Sequence, residues 1–131
     1  MTATFSLILL AILVILYLLI QRSSLDAATS VSDYLRRGAL LIDVRSASEF
    51  NSGHLPTAIN LPLNQLDSLL PSHAHSKDQM LLLHCKSGMR SSLAVKRLKR
   101  QGYCNTLNLG SYSRAARMVR LVRGNQSAAL L

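Results

Sequence analysis

Acidic residues are scarce: six Asp+Glu stand against 15 Lys+Arg, for a formal net charge of +9. Such a balance attracts anions, whether small substrates, anionic lipid or nucleic acid. Aromatic residues are also few, at 5%, and tryptophan is absent. With so few aromatics and no binding motif beside the charge, a nucleic-acid partner is not expected. The only cysteines are Cys85 and Cys104, too few for a disulfide scaffold; in a reducing compartment both are free thiols. No internal repeat or low-complexity tract divides the chain. Its 131 residues suit one ordinary domain.

Charge, glycine and proline are all missing from Ala3 to Ile20 (ATFSLILLAILVILYLLI). As a helix this run would be roughly 27 Å long, close to the thickness of a bilayer core. Three readings compete for it: a transmembrane anchor, a cleaved signal peptide, or a buried core helix. A signal peptide wants Lys or Arg before the apolar run, yet only Met1 and Thr2 stand there. Gln21-Arg22-Ser23-Ser24-Leu25-Asp26 follows where a small-x-small cleavage site belongs, and Ala27 and Ala28 offer only a weak one. The anchor is the leading reading, the signal peptide second and the core helix last. Arg22, Arg36 and Arg37 follow the run and no Lys or Arg precedes it, which places the C-terminal part on the cytoplasmic side. A tethered basic chain meets anionic lipid first.

Beyond a small, polar stretch at 21–30, short apolar runs alternate with helical patterns. Strands are expected at 40–44, 58–61, 80–84 and 106–109. Helices are expected at 30–37, 46–51, 63–70, 91–101 and 111–123, the last stopping at Gly124. Ser46 lies three residues before Glu49, a capping-box spacing. Strands that are apolar throughout and alternate with helices predict an α/β fold: a parallel sheet flanked by helices on both faces. Sites in such folds gather at the carboxyl ends of strands, which points to residues 85–90.

There the strand 80–84 runs into Cys85-Lys86-Ser87-Gly88-Met89-Arg90-Ser91. A helical pattern follows, with Leu93, Ala94, Val95 and Leu98 on its apolar face. Amides of a first helical turn lack partners and carry partial positive charge. A loop curled around an anion aims several of them at it, and Lys86 and Arg90 add formal charge. Cys85 is therefore expected to have a lowered pKa and to act as a nucleophile. Gly88 permits torsions that a side chain forbids. Cys104 is expected to be a small buried hydrophobe, with a resolving role toward Cys85 left open.

Two stretches resemble the single-domain rhodaneses. The first runs Leu41-Ile42-Asp43-Val44-Arg45, Glu49-Phe50, Gly53-His54-Leu55-Pro56, Ala58-Ile59-Asn60 and Leu61-Pro62. The second is Cys85 to Ser91, matching the family's C-x-[ST]-G-x-R-[SA] loop. The resemblance covers roughly residues 28–123 and implies a rhodanese-like sheet. It implies that Cys85 takes sulfane sulfur as a persulfide, cradled by Lys86, Ser87, Gly88, Met89, Arg90 and Ser91. A thiosulfate-like donor, or a protein persulfide or thiol partner, would supply or receive it, with no metal or organic cofactor. Asp43, Arg45, Glu49 and His54 are expected to be structural. Arg45 and Glu49 are spaced to pair, and His54 to fix the loop into the next strand. The layout implied is an anchor over 1–22, a linker over 23–30, the rhodanese domain over 31–124 and a tail over 125–131.

Related cysteine phosphatases use H-C-x5-R. Here four residues separate Cys85 from Arg90, a tighter bowl that suits one sulfur atom better than a phosphoryl group. Sulfurtransferase therefore ranks above phosphatase or arsenate reductase, and a persulfide carrier with little turnover stands between them. His84 is expected to serve packing. Rhodaneses commonly place Gly-Gly and a Trp after the next strand, where this chain has Gly110-Ser111-Tyr112. The wall beside the site is thus expected to differ. Arg114, Arg117, Arg120 and Arg123 recur every third residue, either as a solvated face or as a contact to anionic headgroups.

Overall fold

The computed structural model describes the backbone of residues 2–128 and the side chains of residues 4–23 and 30–121. Four parallel strands form one sheet in the order β2-β1-β3-β4. They are β1 (Leu40–Asp43), β2 (Ile59–Asn60), β3 (Leu81–Cys85) and β4 (Thr106–Ser111). Leu81, Leu82 and Leu83 have 0% exposure. Each such side chain contributes about 1.5–3 kcal/mol of burial, and only a central strand covered on both faces removes all three from water.

Helices supply the cover. The five are α1 (Thr2–Arg36), α2 (Ala47–Asn51), α3 (Leu66–Leu69), α4 (Met89–Arg100) and α5 (Tyr112–Ala128). A 3-10 turn, Leu70–Ser72, extends α3 past Pro71. One apolar layer joins Ile42, Val44, Leu83 and Cys85 to Leu66, Leu70, Ala94 and Leu98 beneath α3 and α4. The other joins Leu41, Leu82 and Leu109 to Val31, Ala115, Met118 and Val119 of α1 and α5. Side chains alternate across a strand, so Cys85 and its neighbour His84 face opposite layers.

Several expectations change. The stretch at 23–30 is not an irregular linker, because α1 runs through it without a break. It contains no glycine or proline, and extending an existing helix costs far less than starting one. Residues 4–23 lie exposed along this helix, apolar enough to cross a membrane and with none of that length buried in the domain. The core-helix reading is thereby set aside. Helix α5 passes Gly124 and includes part of the expected tail, while residues 129–131 lie outside the described residues. Cys104 is exposed rather than buried, because Tyr103 takes the inward position at 5% exposure. Leu93 is 46% exposed: α4 turns Ser91, Ala94 and Leu98 to the core, one residue off that side chain.

Candidate active site

The carboxyl edge of the sheet collects the candidate site's side chains. Cys85 ends β3, and Gly88 stands before α4 with φ of +96°. The Gly88 amide donates to the Cys85 Sγ at 3.0 Å, and the left-handed conformation turns the chain from there into α4. A Cβ on Gly88 would also lie 3.2 Å from the Cα of Gly110, so glycine is required twice over. The Ser91 hydroxyl reaches the same sulfur at 3.5 Å. Cys85 has 0% exposure. Burial is the largest influence on its thiol and pushes the pKa up. Hydrogen bonds from the Ser91 hydroxyl and from the amides of Ser91, Gly88 and Ser87 together outweigh it, leaving the pKa below the ordinary value. Lys86, Ser87 and Met89 stand exposed around the rim.

Arg90 is held beside the loop chiefly by Glu49, and its guanidinium also interacts with the Cys85 sulfur; both contacts raise its pKa. Its Nη1 and Nη2 donate to the Glu49 carboxylate at 2.7 and 2.9 Å. Glu49 is itself held by the capping box at Ser46 that starts α2. The expected pairing of Arg45 with Glu49 is therefore replaced. Arg90 competes better for that carboxylate because it presents both nitrogens side by side, a bidentate geometry. The bond to Arg90, then the Ser46 amide, hold the Glu49 pKa far below the usual carboxylate range.

Arg45 turns to Asp43, which has 0% exposure. Its Nε and Nη2 donate to the carboxylate at 2.9 and 2.7 Å, and Nη2 also reaches the Gly53 carbonyl at 2.7 Å. The hydrogen bond to Asp43 raises the Arg45 pKa against the effect of burial. Asn60 donates to the carbonyls of Asp43 and Arg45, fixing β2 to β1. These contacts brace the edge and touch neither the sulfur nor the loop. His54 lies in the loop ahead of β2, where its Nδ1 is 3.1 Å from the Phe50 carbonyl and its ring stacks on Phe50 at 3.9 Å. His84 is fully buried on the face away from Cys85, 3.8 Å from Asp43. Burial first of all lowers its pKa, so it stays neutral at physiological pH and serves packing.

Asn108 escaped the sequence reading. Its Oδ1 lies 2.8 Å from the Ser91 hydroxyl, where it competes with the Cys85 sulfur for that group's single proton, and accepts from the Gly110 amide at 2.8 Å. Its Nδ2 donates to the Gly88 carbonyl at 3.3 Å. The signal was a polar residue inside the apolar run Thr106-Leu107-Asn108-Leu109. Tyr112, which follows β4 where the resemblance implies a Trp, packs on the face of the sheet away from Cys85. Its ring lies 4.6 Å from the Arg45 guanidinium carbon and edge-on to His84, and its amide donates to the Lys86 carbonyl at 3.3 Å.

Comparison with known proteins matches this arrangement. The model of the Rhodanese-like domain matches residues 27–116. The chain belongs to the rhodanese-like domain family. A sulfurtransferase of Allochromatium vinosum is 38% identical over 72 residues, 53% of this chain and 64% of that protein. The adenylyltransferase and sulfurtransferase uba4 of Ogataea parapolymorpha is 38% identical over 74 residues, 56% of this chain but 19% of its own. The matched stretch thus spans less than two thirds of these relatives. Among solved rhodanese-like structures, the human single-domain sulfurtransferase TSTD1 superposes with a TM-score of 0.58 at 25% identity, covering 68% of this chain and 91% of its own. The E. coli rhodanese with anions gives 0.57 at 26% identity over 59% and 91%.

Proposed function

We propose that this chain is a membrane-tethered sulfurtransferase that carries sulfane sulfur on Cys85. The observation that carries this reading is the hydrogen bonding at the Cys85 Sγ. The Gly88 amide at 3.0 Å and the Ser91 hydroxyl at 3.5 Å favour an anion there. The same donors would stabilise a persulfide anion one atom further out. With thiosulfate, the thiolate attacks the outer sulfur, the S–S bond breaks, and sulfite leaves with the electron pair. A thiolate or cyanide then attacks the outer sulfur of the persulfide and regenerates the Cys85 thiolate. The names of the relatives support sulfur transfer in general, and that of uba4 joins it to adenylyl transfer. A protein thiol or persulfide is therefore the favoured partner, and thiosulfate a convenient donor.

A phosphatase reading is disfavoured by Arg90, whose fork is taken by Glu49. The carrier reading has a specific observation behind it: Cys85 has no exposed surface, so bulky donors must displace part of the loop. The exposed apolar stretch Thr4–Ser23 supports the anchor, with the domain on the cytoplasmic side. Mass analysis of the purified chain after thiosulfate tests the chemistry. Cys85 is expected to gain one sulfur atom, and Cys85→Ser to gain none; a Ser variant that still transfers sulfur overturns the assignment. Turnover with cyanide distinguishes enzyme from carrier.

A further inference from the structure

The apolar segment and the catalytic loop leave the domain at the same end. All four strands are parallel, so one edge of the sheet holds every strand's carboxyl terminus. The Cys85 loop sits on that edge, tied there to the start of α5 by the Tyr112 amide. Helix α1 ends at the opposite edge. After Arg36 the chain turns at Gly38, with φ of +85°, and the Ala39 amide donates back to the Tyr34 carbonyl at 2.9 Å. Leu40 then opens β1. So short a turn, with Val31 at 1% exposure in one layer with Leu41, Leu82 and Leu109, requires α1 to lie back across the sheet, antiparallel to the strands. Traced toward its N-terminus, α1 therefore climbs toward the catalytic edge. A strand from residue 40 to 44 rises about 13 Å at ~3.3 Å per residue. Nine helical residues at ~1.5 Å cover that height, so α1 reaches the catalytic edge near residue 27. Ser23, the end of the apolar stretch, is only about four residues and ~6 Å beyond.

Charge suits that position. Arg22, Lys86 and Arg114 are exposed toward this end, and the nearby Glu49 carboxylate is neutralised by Arg90. Met89, at 78% exposure, is the most prominent apolar side chain of the rim.

We propose that the catalytic edge faces the membrane, with the loop around Cys85 held against the anionic headgroup layer and Arg22, Lys86 and Arg114 meeting lipid phosphates. The inference rests on the reading of Thr4–Ser23 as a membrane span. It restricts lipid contact to the first turn of α5. Arg117 and Arg120 descend by ~4.5 Å per three residues, away from the bilayer.

The test uses the full chain, with Cys85→Ser and Cys104→Ser, in vesicles of phosphatidylcholine and phosphatidylglycerol. A nitroxide is attached through Met89→Cys at the catalytic edge or through Lys99→Cys near the opposite one. Both sites are exposed, so folding is not at stake. Relaxation by a headgroup-bound paramagnetic lipid is expected to be several-fold stronger at position 89. Equal relaxation, or a stronger effect at position 99, overturns the orientation while leaving the span intact. Failure of the chain to float with the vesicles overturns the span and the orientation with it.

Discussion

At Cys85 burial and hydrogen bonding pull in opposite directions, and hydrogen bonding prevails. Alkylation of Cys85 by iodoacetamide should therefore have a midpoint pH below that of an ordinary thiol. Ser91→Ala should move the midpoint upward, since it deletes the hydroxyl whose hydrogen bond does most to lower the thiol pKa; peptide mapping at several pH values measures both. At Glu49 the ion pair with Arg90 is the decisive contact. Glu49→Gln should slow sulfur transfer by about tenfold, equivalent to ~1.4 kcal/mol. The pair's contribution is fully present above the ordinary carboxylate pKa of about 4.3 and is lost only as pH falls through the depressed native value. The defect should thus be equal at neutral pH and at about pH 5, as parallel assays of the two proteins would record. Residue roles were legible where chemistry is local: the Cys85 loop could be read because its donors lie within six residues. The partner of Arg90 could not, because it lies 41 residues away and the nearer Arg45 offered a plausible helical spacing.

Between β3 and α4, Gly88 takes a left-handed conformation that side chains rarely adopt. Gly88→Ala would put a side chain at φ of +96° and 3.2 Å from Gly110. It should cost about 1–3 kcal/mol, seen as a lower denaturation midpoint, and should abolish the persulfide. The strands were legible as apolar runs because a parallel sheet buries both faces of each; Leu40–Asp43 and Leu81–Cys85 fall within a residue of expectation. Strand β2 is shorter than its apolar run, since it pairs with β1 alone through Ile59 and Asn60. The continuity of α1 was not legible. Small polar residues look like a linker until an apolar helix is found upstream to extend through them.

For the molecule as a whole, helix α1 has two separable parts. Val31 and Leu35 pack into the domain, whereas residues 4–23 touch none of its core. A chain beginning at residue 27 should stay folded, transfer sulfur from thiosulfate as the full chain does, and fail to float with vesicles made from neutral lipid. Flotation and a thiocyanate assay on the same sample test all three. Its basic surface should leave only a weak, salt-sensitive attraction to phosphatidylglycerol, because exposed charges are screened beyond ~10 Å at 0.1 M salt.

The position of Cys104 carries a kinetic consequence. It precedes β4, where the Asn105 carbonyl accepts from the Leu81 amide, while Cys85 ends β3 about 13 Å along the strand. Disulfide formation needs Cα atoms within about 7 Å, so no second thiol on board can unload Cys85. If Cys85 carries sulfur as proposed, its discharge is bimolecular. Its rate should climb with the concentration of the receiving molecule, and a charged chain freed of small thiols should keep its cargo.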